Sequence, residues 1–254
     1  MTAAAIADLE HPSEVPGNEA SRQPTWGLFD AMLGIPVVLS LAIISGIGIA
    51  LSFDLASVAG SAIGLLFFQG AMLSWPLMVT KSKGNGLIRD LRVEFDGLTD
   101  AMGGVAFGFA MIMAASVVSG IVGELVTLAD PTEASNTGAL TNSSGTMWFW
   151  LMVGLTIIGA PIVEELFFRG LLLQALRRRF GSAVAVIGST VAFTLPHYTG
   201  AGRDGSLVLF AVIGTIGLML GTYVVKTGRL APAMLAHATF NGVVVLATIG
   251  STTG

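Results

Sequence analysis

Apolar runs close to twenty residues long recur along this chain, separated by short polar inserts. Each is long enough to cross a bilayer as a helix, which takes about 20 residues. The pattern predicts seven spans, at 28–53, 55–80, 101–129, 148–176, 182–198, 207–225 and 230–249. Pro36 interrupts the first and Pro196 breaks the fifth; Pro232 falls in the first turn of the seventh, where proline is tolerated. The fold class is all-α, a polytopic helical membrane protein. Residues 1–24 are polar, with three prolines, and read as a disordered tail, not a signal peptide. Residues 25–254 read as one transmembrane helical domain with no internal repeat.

Two inserts and two pairs of small residues qualify this outline. Residues 81–100 mix Lys83, Arg89 and Arg92 with Leu87, Leu91 and Phe95, as either an amphipathic surface segment or a solvated loop. Residues 130–145 hold no Lys or Arg, and Asn142-Ser143-Ser144 has the form of a glycosylation acceptor. Small residues four apart, Gly60 with Gly64 and Gly104 with Gly108, offer faces where membrane helices can approach closely.

Composition strengthens the membrane assignment. The chain is 53% apolar and only 11% charged, against about 25% charged in soluble domains. Cysteine is absent, which excludes disulfides, thiolate ligands and a Cys nucleophile. No basic patch interleaved with aromatics points to nucleic acid. Basic residues are strongly one-sided. With seven spans, one set of loops holds Arg22, Lys81, Lys83, Arg89, Arg92, Arg177, Arg178, Arg179, Lys226 and Arg229, and the other only Arg203. The positive-inside rule then puts the N-terminus in the cytoplasm and the C-terminus outside.

Against that apolar background the polar residues within the spans stand out. Glu164, Glu165 and Arg169 share the fourth span, where each charge costs about 2.5–3.5 kcal/mol at a bilayer centre. Glu165 and Arg169 are four apart and fall on one helix face, as a buried ion pair. Glu164 points about 100° away and lacks a local partner, so it needs hydrogen bonds from elsewhere. It is the stronger catalytic candidate, with Glu165 and Arg169 in support. The fifth span supplies Phe193 and His197, and the seventh His237 and Asn241, each pair again four apart. The other histidine, His11, lies in the tail. Ionisable groups inside membrane spans mark functional sites by default.

Carboxylates, two imidazoles and an amide suit water activation. In one version Glu164 is the general base, His197 orients or deprotonates the water, and His237 and Asn241 stabilise an oxyanion. In the other, Glu164, His197 and His237 hold a divalent metal such as zinc that acidifies the water. The residues leave both open. An ion- or proton-coupled transporter, or an inactive scaffold, would use the same buried groups, but no inverted repeat or paired broken helices support transport. One geometric conflict stands: at 1.5 Å per residue, Glu164 lies roughly 18 Å from the basic end of its span, His197 about 22 Å and His237 roughly 10 Å.

Glu164-Glu165-x-x-x-Arg169, Phe193-x-x-x-His197 and His237-x-x-x-Asn241, in that order, resemble the three motifs of the CPBP family of intramembrane proteases, which contains CaaX prenyl endopeptidases and bacterial Abi proteins. The resemblance covers about 148–249. It implies a helical fold with a cavity open to the cytosol, in a multi-pass protein of the cell membrane. It assigns Glu164, Glu165, His197, His237 and Asn241 to the catalytic set, with Arg169 and Phe193 in support. It implies an endopeptidase acting on a membrane-associated protein or peptide, with either a divalent metal or a metal-independent glutamate mechanism.

Overall fold

A computed structural model describes residues 23–53, 57–126, 146–197 and 202–252. The polar tail up to residue 22 and the acceptor sequence at Asn142 lie outside them. The described residues form helices and connecting turns, with no strand. The helices are α1 (Leu28–Ala50), α2 (Val58–Lys83), the single turn α3 (Leu87–Asp90) and α4 (Gly97–Leu125). There follow the continuous helical run α5 (Met147–Phe180), then α6 (Ser182–Thr194), α7 (Gly202–Thr227) and α8 (Ala231–Thr252).

Six of these are long and apolar enough to cross a membrane: α1, α2, α4, α5, α7 and α8. The predicted fifth span is the exception. Its α-helix has 13 residues and passes into a 3-10 turn at Leu195–His197. Thirteen residues rise about 20 Å, short of a hydrocarbon core about 30 Å thick. Pro196, which has no N–H to continue the ladder, accounts for the stop. Pro36 behaves differently from the expectation: α1 runs through it without a break, as α2 runs through Pro76.

Helix ends are set by local chemistry. Ser57 caps α2 by accepting from the Gly60 N–H, and Thr146 caps α5 by accepting from the Phe149 N–H. Gly181, at φ 83°, is the one residue between α5 and α6. That left-handed conformation suits glycine, so the chain reverses there without a loop.

The basic segments converge at one end of the bundle. Thr25 N–H donates to the Lys83 carbonyl, and Leu230 N–H donates to the Arg92 carbonyl. Arg229 pairs with Asp96 and Asp100 at the start of α4. Arg178, at the end of α5, donates to the Trp26 carbonyl. The insert at 81–100 is short and partly helical. It completes α2, makes the α3 turn and sinks Leu91, fully buried, into the core.

Of the two small-residue pairs, Gly104 and Gly108 are the close-packing face. A Cβ at Gly108 would lie 2.7 Å from the Ala236 carbonyl and 2.6 Å from Thr239 Cβ on α8. A Cβ at Gly64 would meet nothing within 4 Å. Gly108→Val should therefore lower stability in detergent by about 1–3 kcal/mol, the usual cost of overpacking, whereas Gly64→Ala should leave it unchanged or raise it slightly. Thermal unfolding of the two purified variants measures the contrast.

Candidate active site

Helix α5 departs from regular winding in two places. Leu155–Gly159 and Glu165–Leu173 are π-helical, a form that is rare and concentrates at functional sites. The first segment has a local cause. Ala160 N–H donates to the Leu155 carbonyl, five residues back. In the same register the Thr156 carbonyl would need the N–H of residue 161, which is proline and has none. Two side chains from other helices take up the slack. Asn241 Nδ2 donates to the Thr156 carbonyl at 2.9 Å, and Gln69 Nε2 to the Leu155 carbonyl at 3.0 Å.

The second π segment starts at Glu165, directly after Glu164, and buries every residue from Glu165 to Leu173. Its wider winding rises less per residue than an α-helix, which draws Glu164 toward the basic end. Helix α8 enters from the same basic end and starts just after the fully buried Leu230. These two features reconcile the unequal depths expected for Glu164 and His237, whose Oε2 and Nε2 lie 3.7 Å apart.

The two glutamates face different surroundings. Glu164 lines a cavity of about 370 Å³ with His197, His237 and Asn241. The rest of the wall is largely apolar, from α2, α5, α6, α7 and α8, and includes Phe68, Met72 and Phe240. Glu165 and Arg169 stand behind that wall with no exposed surface. Glu165 Oε1 accepts from Arg169 Nη1 at 2.9 Å and from His237 Nδ1 at 3.0 Å. A carboxylate accepts and an imidazole Nδ1–H donates, so Glu165 fixes the tautomer with the proton on Nδ1. His237 Nε2 is then left as an acceptor facing Glu164. Glu165 Oε2 and Arg169 Nε have no protein partner among the described residues.

Phe193 joins the parts. The Arg169 guanidinium lies 4.2 Å from its ring centroid, within the range of a cation–π contact. The ring packs against those of His197, His237 and Phe168 at centroid distances of 4.9, 5.9 and 5.4 Å. Past Pro196, His197 Nδ1 donates to the Phe193 carbonyl at 2.8 Å, so its Nε2 is likewise the free acceptor.

The expected neighbours therefore come together, and three contacts are additional. Gln69, Thr156 and the Glu165–His237 bond were not anticipated. Gln69 had a visible signal: it is an amide in the middle of the apolar run Leu65–Met72, nearly fully buried. Thr156 had none, because only its carbonyl is used. Glu164, His197 and His237 are not gathered as metal ligands: among the described residues no group of three His, Asp or Glu side chains could hold a metal ion.

Fold and site together define a multi-pass helical membrane protein with a buried carboxylate–imidazole–guanidinium cluster beside an internal cavity. Residues 146–243 match the family model described as type II CAAX prenyl endopeptidase Rce1-like, and that match, with the three motifs, supports a CPBP family membrane protease. The same match supports intramembrane protease activity in general. No curated protein and no solved structure matches the chain.

Proposed function

We propose that the protein is an endopeptidase that hydrolyses a peptide bond of a membrane-associated protein or peptide, with a water activated by Glu164. The observation that carries this reading is the pair of acceptors, Glu164 Oε2 and His237 Nε2, 3.7 Å apart on the cavity wall. A water has two O–H donors and suits two such acceptors. Glu164 takes one proton as the water oxygen attacks the scissile carbonyl carbon. The carbonyl oxygen becomes an oxyanion, which the second N–H of Asn241 is suited to stabilise, while His197, with its free Nε2 on the same wall, is suited to orient the water. Collapse breaks the C–N bond, and Glu164 returns its proton to the leaving amine. Glu165 is a positioning residue: it touches His237, not the cavity. No step of this mechanism passes through a metal. The basic end of the bundle is the cytoplasmic end by the positive-inside rule.

The test is cleavage of membrane-associated peptides by the purified protein, followed by mass spectrometry of the products. His197→Ala should lower turnover by roughly 10²-fold or more without altering the thermal unfolding profile. Activity should survive exhaustive chelation, with no stoichiometric metal by elemental analysis. Activity lost on chelation and restored by zinc would replace this mechanism with a metal-assisted one.

A further inference from the structure

A second cavity, about 710 Å³ in volume, opens at the basic end of the bundle and takes no part in the proposed cleavage. Its apolar floor includes Leu91, Leu173 and Leu230, all fully buried. Its polar rim holds Arg89, Arg92, Arg177 and Arg178 against one carboxylate, Asp90. The rim thus has an excess of three positive charges.

Two of these groups are already engaged. Asp90 accepts from Trp26 Nε1 at 3.0 Å, from the Asn85 N–H at 3.0 Å and from Asn85 Nδ2 at 3.2 Å. Arg178 stacks on the Trp26 ring, 3.7 Å from its centroid, and donates to the Trp26 carbonyl. The other three are not engaged: among the described residues Arg89, Arg92 and Arg177 form no ion pair.

These three arginines come from separate segments. Arg89 lies in α3 and Arg177 in the last turn of α5. Arg92 follows α3 with φ 57°, a left-handed conformation uncommon for a long side chain. It is held there by the bond from Leu230 N–H to its carbonyl. The fold thus brings three uncompensated guanidiniums to one concavity at the level of the helix ends. Guanidinium forks match phosphate oxygens in charge and geometry. Basic pockets between membrane helices on the cytoplasmic side take phosphate headgroups.

We propose that this cavity binds a phosphate group, that of an anionic lipid headgroup lying against Arg89, Arg92 and Arg177 or free phosphate of the same chemistry. The full chain in zwitterionic detergent would be titrated with phosphatidylglycerol, with phosphatidylcholine and with inorganic phosphate against chloride at equal ionic strength. Thermal unfolding and native mass spectrometry would be the readouts, and neither depends on cleavage. Phosphatidylglycerol should raise the unfolding temperature and persist as an adduct where phosphatidylcholine does not. Arg89→Ala/Arg92→Ala/Arg177→Ala should weaken that binding by tenfold or more. Lys81→Ala/Arg179→Ala/Lys226→Ala removes as many charges outside the cavity and should weaken it far less. Protection by inorganic phosphate as well would identify the phosphate alone as sufficient; protection by the lipid only would identify the headgroup in its membrane setting. Equal losses in the two triple variants, or no preference for phosphatidylglycerol, would overturn the proposal.

Discussion

Glu164→Gln abolishes measurable cleavage, with a fall of about 10²–10⁴-fold, while the helices unfold at the wild-type temperature. The magnitude is what a positioned general base contributes. The fold should tolerate the change because Glu164, unlike Glu165, faces the cavity and, among the described residues, has no hydrogen bond to another helix that depends on its charge. Glutamine keeps the volume and one acceptor oxygen, so the wall stays filled and a water could still be held. It cannot take the proton. Initial rates against a membrane-associated peptide, together with thermal unfolding of the same preparations, check both halves. Full activity in the glutamine variant would mean that another group serves as base. His197 would be the next candidate, since its free Nε2 is on the same wall.

Which parts of this arrangement are legible without coordinates follows from the range of the physics involved. Pairs four residues apart are local, so the Glu165–Arg169 pairing and the shared faces of Phe193 with His197 and of His237 with Asn241 follow from helical geometry alone. The different directions of Glu164 and Glu165 follow in the same way. The Glu165–His237 bond joins residues 72 apart and depends on the relative depth of two helices. An estimate with uniform α-helical rise misplaces that depth, because it cannot include nine residues of π winding. The π winding at Leu155–Gly159 is accompanied by two side chains from helices distant in sequence: Asn241 donates to the Thr156 carbonyl that Pro161 leaves without an N–H, and Gln69 donates to the Leu155 carbonyl. Proline alone was an unreliable guide: Pro196 ends its α-helix, whereas Pro36 is absorbed. Small residues were similarly ambiguous. Gly60 with Gly64 and Gly104 with Gly108 have the same spacing, yet Gly108 meets a neighbouring backbone where Gly64 faces open space.

Arg169→Met has the largest expected effect on stability, a loss of about 3–5 kcal/mol, because it leaves a carboxylate buried without its charge partner. Both side chains of the pair have zero exposed surface, so water cannot compensate. Arg169 also donates toward the Gly217 carbonyl of α7 and lies over Phe193 of α6, so three helices lose a contact at once. Combining Arg169→Met with Glu165→Gln removes both charges and should recover most of the loss, since replacing a buried pair with neutral groups is often close to neutral. The double variant also separates packing from chemistry. The glutamine that replaces Glu165 keeps an oxygen that can accept from His237 Nδ1, so the tautomer survives, but the negative charge behind the imidazole is gone. If that charge assists His237 while the water is deprotonated, the double variant unfolds near the wild-type temperature yet cleaves slowly, with kcat lowered and KM little changed. Recovery of both stability and kcat would confine Glu165 and Arg169 to holding the helices together, and leave Glu164 as the sole carboxylate in the chemistry.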